Sequence, residues 1–396
     1  MRIFRNSSAG IAMVLGLIFI FQIDADATET RVGSMGGVGY YMRDNSNIFV
    51  FPGTFYTYAN QVVGELRVRQ SNYFYTVGAH LPISSNAQVG VYLNSPLYWQ
   101  IPGGIVNTVT LDRTTDIFFG TRLSLFDLGL ALRVAMDKDE INNPPTPETK
   151  ESAHYFEVAG GISNEMMDLG LMVGLPSASY EFSDLKRTWS GFAASFNGRL
   201  WLKQQDLLFQ FLPLIVANYV STSAELDPGI PGAEITTVDY DVLELSGGVG
   251  INYQINQSNL IVIGLEAIGY HQESQKVKGG TEYTTTAIVL PGIYMGVESE
   301  ISDWLTGRLG AAQTYTSITQ KTKPDVGDEL KETNFDKEFK MTFGLGFSFG
   351  NFLLDAAINE GLLFSGPNII SGTIQDFAYK LSITYNFGNT EENTDE

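Results

Sequence analysis

Cysteine is absent from the 396 residues, which excludes a cysteine-linked lipid anchor, a disulfide framework and any thiolate metal site. Histidine is scarce. His80, His154 and His271 stand far apart, no second histidine falls at metal-ligand spacing, and there is no Gly-x-Ser-x-Gly elbow. No metal, cofactor or catalytic residue is therefore expected. Basic residues number 24 against 44 acidic ones, for a formal net charge of −20, which argues against nucleic acid as a partner because phosphate binding needs a basic surface. Charged residues make up only 17%, where a soluble domain carries about a quarter. Past the N-terminus no apolar run reaches the ~20 residues of a spanning helix. The nearest, Leu207 to Val220, is broken by Pro213 and carries Gln210. The acidic stretch with Asp325, Asp328, Glu329 and Glu332 lacks the regular ligand spacing of a calcium loop and reads as solvated surface.

The chain opens with Arg2 and Arg5, an apolar run from Ile11 to Phe21, and a polar stretch ending Ala25-Asp26-Ala27. That order is a secretory signal over residues 1–27, with cleavage expected after Ala27 and Thr28 as the mature start. The apolar run is about half of what a membrane anchor needs.

From about Gln61 onward, apolar residues recur at every second position in segments of about ten, separated by turn residues. In the last segment Phe377, Tyr379, Leu381, Ile383, Tyr385 and Phe387 share one face, with Ala378, Lys380, Ser382, Thr384 and Asn386 on the other. The same alternation runs through Leu128 to Met136, Met167 to Leu175, Leu243 to Tyr253 and Met341 to Phe349, with Gly, Ala, Ser and few charges on the opposite face. Short turns at 126–127, 164–165, 204–205, 257–258, 302–303 and 350–351 alternate with long polar loops expected near 137–151, 176–187, 222–236, 273–281, 320–336 and 360–373. Short turns at one rim and long loops at the other are the organisation of an outer-membrane barrel. The expected fold is all-β: a transmembrane antiparallel β-barrel of about 14–16 strands, with an N-terminal hatch or plug in its lumen. The barrel should occupy 60–388, followed by an acidic tail at 389–396. Tyr73, Tyr75, Tyr253, Phe349, Phe352, Tyr385 and Phe387 suit an interfacial girdle.

Residues 28–59 are too rich in Gly and turn formers for one strand and too hydrophobic for a free linker, so they are expected to fold into the lumen. They include Arg31-Val32-Gly33-Ser34-Met35-Gly36-Gly37-Val38-Gly39, Arg43-Asp44-Asn45-Ser46-Asn47-Ile48-Phe49 and Phe51-Pro52-Gly53. Here the sequence resembles the FadL family of outer-membrane transporters for long-chain fatty acids and other hydrophobic molecules. That family's mature N-terminus reads Gly-Met-Gly-Gly, an acidic residue, then Asn-Pro-Ala, and forms a hatch inside a fourteen-strand barrel. Met35, Gly36, Gly37, Asp44 and Pro52 fall in the same order, with Asn47 between them, and the resemblance extends through Gly78-Ala79-His80-Leu81-Pro82-Ile83 to about Asn94. Phe51-Pro52-Gly53 stands where the family has Asn-Pro-Ala, and about sixteen candidate strands exceed fourteen. The PorV-like barrels, which serve protein secretion, share a similar N-terminal signature.

Alternation puts Glu65, Arg67 and Arg69 on the inward face of the first strand, and His80 on that of the second. Pro213 and Pro291 interrupt otherwise regular strands and should mark bulges or kinks. By resemblance, Asn94-Ser95-Pro96 at the end of the third strand marks a lateral exit from lumen to membrane. The leading functional expectation is a plugged outer-membrane barrel that admits small hydrophobic molecules, fatty-acid-like or aromatic. Its partners would be membrane lipid, those molecules, and the outer-membrane assembly machinery that reads a terminal aromatic strand such as the one ending at Phe387. The alternatives are a scaffold or shuttle for a secreted-protein partner, and a general porin.

Overall fold

A computed structural model describes residues 29–69, 72–97, 111, 114–142, 148–203, 209–230, 234–256, 258–358 and 378–387. The expected signal peptide, Thr28, the turn at 204–205, the loop at 360–373 and the tail at 389–396 lie outside the described residues, as do the side chains of Arg69 and Tyr73.

The strands are β1 (Gln61–Arg69), β2 (Asn72–Ser84), β3 (Ala87–Leu93), β4 (Thr114–Arg122), β5 (Asp127–Ile141), β6 (Thr149–Ser163), β7 (Met167–Phe182), β8 (Leu185–Leu200) and β9 (Leu202–Lys203). They continue with β10 (Phe209–Asp227), β11 (Thr236–Asn256), β12 (Asn259–Val277), β13 (Glu282–Ser302), β14 (Leu305–Lys323), β15 (Leu330–Phe349), β16 (Phe352–Ile358) and β17 (Ala378–Asn386). Each pairs antiparallel with its sequence neighbours, and β1 closes the ring by pairing with β17, Gln61 opposite Asn386 through Arg67 opposite Lys380. β9 continues β8 after a break at Trp201, since both pair with β10. The barrel therefore has sixteen staves joined in a closed ring. Pro213 falls in the gap of this ladder, between Leu214 opposite Arg199 and Phe211 opposite Leu202. Pro291 falls in the register shift between Val289 and Gly292. Both prolines thus mark irregularities, as a residue without a backbone N–H should.

Side chains follow the alternation, with polarity inverted relative to a soluble protein. Leu171, Val173 and Leu175 on β7 are 61, 55 and 55% exposed, while Met172 and Gly174 between them, and Asp168 before them, are buried. The outer surface is the apolar face of every stave, and the barrel spans lipid. Trp304, Phe347 and Phe349 form one run of neighbouring rings near the short-turn rim and Phe352, Tyr385 and Phe387 another, centroids 4.6 to 6.5 Å apart, as an interfacial girdle should.

Three expectations need correction. The regions read as long loops are largely strand: β7 and β8 meet across Ser183 and Asp184 alone, and β11 and β13 each run 21 residues. At ~3.3 Å per residue these rise well beyond an apolar band of ~25 Å. Above the lipid both faces are wet, so pairing continues while the apolar alternation that marks a strand in sequence disappears; Leu330 to Phe339 on β15 are exposed without interruption. Tyr379 does not share the outward face of β17. It is the extra residue of a bulge between Ala378 and Lys380, and its hydroxyl donates inward to the Gly33 carbonyl at 3.2 Å. Finally, the lumen face carries many charges, including Arg133, Asp168, Arg199, Arg308 and Asp355, all buried. They escape notice in sequence because each stands alone among small residues.

Candidate functional site

The N-terminal segment lies inside the barrel toward the short-turn rim as four short helical pieces: α1 (Glu29–Ser34) and the 3-10 turns η1 (Val38–Tyr41), η2 (Asn45–Phe49) and η3 (Pro52–Thr57). Pieces this short have little helical stability of their own and depend on the wall for packing. The segment makes two apolar contacts with the wall. Val32, Met35, Val38, Tyr41 and Met42 pack on Leu212, Leu214, Val216 and Val262 of β10 and β12. Ile48, Phe49 and Phe55 pack on Tyr92 of β3 and Phe118 of β4.

Close approach explains two glycines. Gly36 has φ +76°, its N–H donates to Thr342 Oγ1 at 2.8 Å, and an added Cβ would meet the Met295 carbonyl at 2.7 Å. On the wall, a Cβ at Gly129 of β5 would occupy the position of the Pro52 carbonyl. Backbone therefore rests on backbone, which only glycine permits.

A belt of charged side chains crosses the lumen through this segment. Arg31 donates to both oxygens of Glu298 on β13 (2.8 and 2.7 Å) and to Asp44 at 2.9 Å. Glu298 also accepts from Arg308 of β14 at 2.6 Å, and Arg308 reaches Asp355 of β16 at 2.5 Å. Asp44 caps η2 by accepting from Ser46 N at 3.1 Å, while the Asn47 side chain accepts from Asp44 N at 3.0 Å, a reciprocal capping box. Asn47 also donates to the Gly39 carbonyl at 3.1 Å and accepts from Arg199 of β8 at 2.8 Å. Arg199 further donates to the carbonyls of Tyr40 (3.0 Å) and Met42 (2.8 Å), and its Nε meets Asp168 of β7 at 2.8 Å. Asp168 accepts in turn from Trp201 Nε1 at 2.7 Å and from Ser163 at 2.5 Å. The Arg199 guanidinium lies 4.4 Å from the Phe51 ring centroid. Burial disfavours the charge on Arg31, but its hydrogen bonds and ion pairs with Glu298 and Asp44 outweigh that and raise its pKa above the ordinary arginine value.

Of the expected residues, Asp44 and Asn47 sit at the centre of this belt, Met35, Gly36 and Pro52 contact the wall, and Gly37, exposed and at φ +76°, leads the chain into η1. His80 does face the lumen, fully buried. Its Nδ1 lies against the Tyr58 carbonyl, Nε2 is 2.8 Å from Tyr92 Oη, and the ring is 4.6 Å from that of Phe55. A carbonyl on Nδ1 assigns the proton there, and Nε2 then accepts from Tyr92. Glu65 and Arg67 also point inward and are buried. The structure brings Arg67 to the end of β3, where it contacts Thr76, and Thr76 donates to the Asn94 carbonyl at 2.8 Å. Asn94 has φ +61° and turns the chain into the barrel; Ser95 behind it is buried against Thr114 and Asp116, and Pro96 follows half-buried.

Sequence reasoning missed Arg199, Asp168, Glu298, Arg308 and Asp355, although lone charges at inward positions of a small-residue face were a usable signal. It also missed an apolar cluster farther up the lumen. There Trp189 and Tyr155 pack with Ala135, Ala153, Ala178 and Ala224, against Leu97 and Leu111 from the connection after β3. Between this cluster and the N-terminal segment lies a cavity lined by Tyr40, Val50, Met172, Ala193, Asn218 and Val220 among others.

No protein-family model matches the chain, and no curated protein matches its sequence. Among solved structures it is similar to a deletion mutant of TodX, a monoaromatic hydrocarbon channel, at 12% identity and a TM-score of 0.38, over 93% of this chain and 100% of that one. It is also similar to FyuA, the ferric yersiniabactin uptake receptor of Yersinia pestis, at 8% identity and a TM-score of 0.36, over 83% and 80% of the two chains. FauA, the alcaligin outer membrane receptor of Bordetella pertussis, aligns at 6% identity and a TM-score of 0.37, over 76% and 68%.

Proposed function

We propose that this chain is a bacterial outer-membrane barrel through which small hydrophobic molecules, fatty-acid-like or aromatic, pass down the lumen, with residues 29–59 as the gate. In this reading residues 1–27 are removed on export, so sequencing of the mature protein begins at Thr28. The observation that carries the reading is the stacking of two features along one lumen. The buried apolar cluster around Trp189 and Tyr155 lines the lumen on the outer side, and beneath it the lumen is crossed by a segment held through side chains and close packing. A ligand site is expected to be mostly apolar with a few convergent polar groups. The turn of Asn94 and Ser95 into the barrel is the place for cargo to leave sideways.

The test is uptake of N-phenyl-1-naphthylamine, a neutral aromatic probe that fluoresces on reaching inner membranes. Cells carrying the barrel should take it up faster than vector controls. Trp189→Asp, which places a charge in the apolar cluster, should remove the increment. A wild-type rate equal to the control sinks the transport reading.

A second reading, a scaffold for a secreted protein, draws on Phe335 and Phe339, which lie 84 and 61% exposed on β15. Large exposed apolar groups on such a wall suit a protein partner. A barrel without uptake that co-purifies with one stably bound exported protein would favour it.

A further inference from the structure

We propose that the gate opens by release of one side chain, Arg31, and that the Arg199–Asp168 pair is the fixed pivot about which α1 leaves the lumen. This rests on the reading of residues 29–59 as a gate, and not on the identity of the cargo.

The two ends of the charged belt differ in solvation. Arg199 and Asp168 are each 0% exposed at the side chain, whereas Arg31 and Glu298 are 26 and 17% exposed. A part-buried ion pair is screened more than one closed to water, while breaking a fully buried one strands a charge.

The groups left behind differ as well. When Arg31 departs, Glu298 keeps Arg308, and Asp44 keeps the Ser46 N–H that it caps. Both carboxylates thus keep a donor, and the guanidinium moves toward water. Displacing Arg199 from the segment instead takes the donor from the Tyr40 and Met42 carbonyls at once and strands a fully buried guanidinium, although Asn47 keeps the Asp44 N–H. Buried acceptors without donors are the costly outcome.

The backbone supplies the hinge between the two ends. Gly36 and Gly37 both have φ +76°, and they separate α1, which carries Arg31, from every group that Arg199 holds. Hinges are a few residues able to absorb a large φ/ψ change. Beyond the ion pairs, α1 is fastened by Val32 and the adjoining Met35 in the apolar cluster on β10 and β12, by the Tyr379 hydroxyl on the Gly33 carbonyl and by Gly36 N–H on Thr342, all of which must yield when it moves. Its departure would clear the lumen along β14 to β17, while η2 and η3 stay packed on β3 to β7.

The experiment is planar-bilayer recording of the full chain, read as open probability. Arg31→Gln should raise it about tenfold, and wild-type opening should increase as salt rises from about 0.1 to 1 M while the variant's does not. Arg31→Lys, which keeps the charge and loses the fork, should fall between. Hydrogen exchange on Arg31→Gln should leave Gly39 to Asn47 protected, since Arg199 still holds them.

An open probability unchanged in Arg31→Gln, or lost protection at Gly39 to Asn47, would each overturn the latch. None of these touches probe uptake, so the transport reading can survive the loss of the latch, and the latch can survive the loss of the cargo reading. A chain that carries no current in any variant overturns the gate itself.

Discussion

Asp168 on β7 holds Arg199 on β8 at 2.8 Å, Oδ2 to Nε, in a pair that water does not reach. Register alone places them opposite each other on the inward face, and the pair then aims the guanidinium at the carbonyls of the N-terminal segment. Asp168→Asn removes the charge and leaves Arg199 buried, which should destabilise the seating of the segment by about 3–5 kcal/mol. Hydrogen exchange should show lost protection at Gly39 to Asn47 with the barrel strands still protected. Unchanged protection there would mean the pair is not what seats the segment.

Gly129→Val tests whether backbone contact seats the segment. The new side chain would occupy the place of the Pro52 carbonyl, and overpacking of this kind costs about 1–3 kcal/mol. The barrel should still fold and resist heat in detergent, while protease cuts within residues 50–58 appear in the variant and not in wild type. Equal resistance in both would show that the wall has room to spare.

The lipid-facing assignment predicts an asymmetry between neighbours on one strand. Leu171 points outward and Met172 inward. Leu171→Arg should cost about 2–4 kcal/mol in urea unfolding from vesicles, the penalty for a cation near the bilayer midplane. A neutral effect would place this face in water.

Alkali should loosen the N-terminal segment before it affects the barrel. Burial raises the pKa of Tyr40, Tyr41 and Tyr58, with nearby carboxylates such as Glu244, Glu266 and Asp44 adding to the effect. For an acid whose folded pKa is raised, the stabilisation is complete below the unfolded value of about 10 and is lost as pH rises through the folded one. Tyrosinate absorbance and exchange at residues 38–58 should therefore begin to change above about pH 10. Arg31, also raised, keeps its charge across that range. A transition well below pH 10 would point to another group.

Much of the architecture is written in local pattern. Alternation through Leu128 to Met136 and Met341 to Phe349 requires strands with one apolar face, and the Gly-rich, hydrophobic run from Arg31 to Gly53 could be neither strand nor free linker. Asp44 and Asn47 were singled out by family resemblance alone, although the capping box they form is a contact within four residues. Tyr379 was misplaced because a bulge inserts one residue without altering composition.

The sequence by itself determined a cysteine-free membrane barrel with a non-strand N-terminal segment, since period-two polarity and the absence of a spanning helix are properties of neighbouring residues. Only the tertiary structure decided which charges meet. Arg31 and Glu298 are 267 positions apart, and Asn47 and Arg199 are 152. Their contact depends on ring closure and on the depth at which the segment seats in the lumen. Neither of these has a signature in any short stretch of chain.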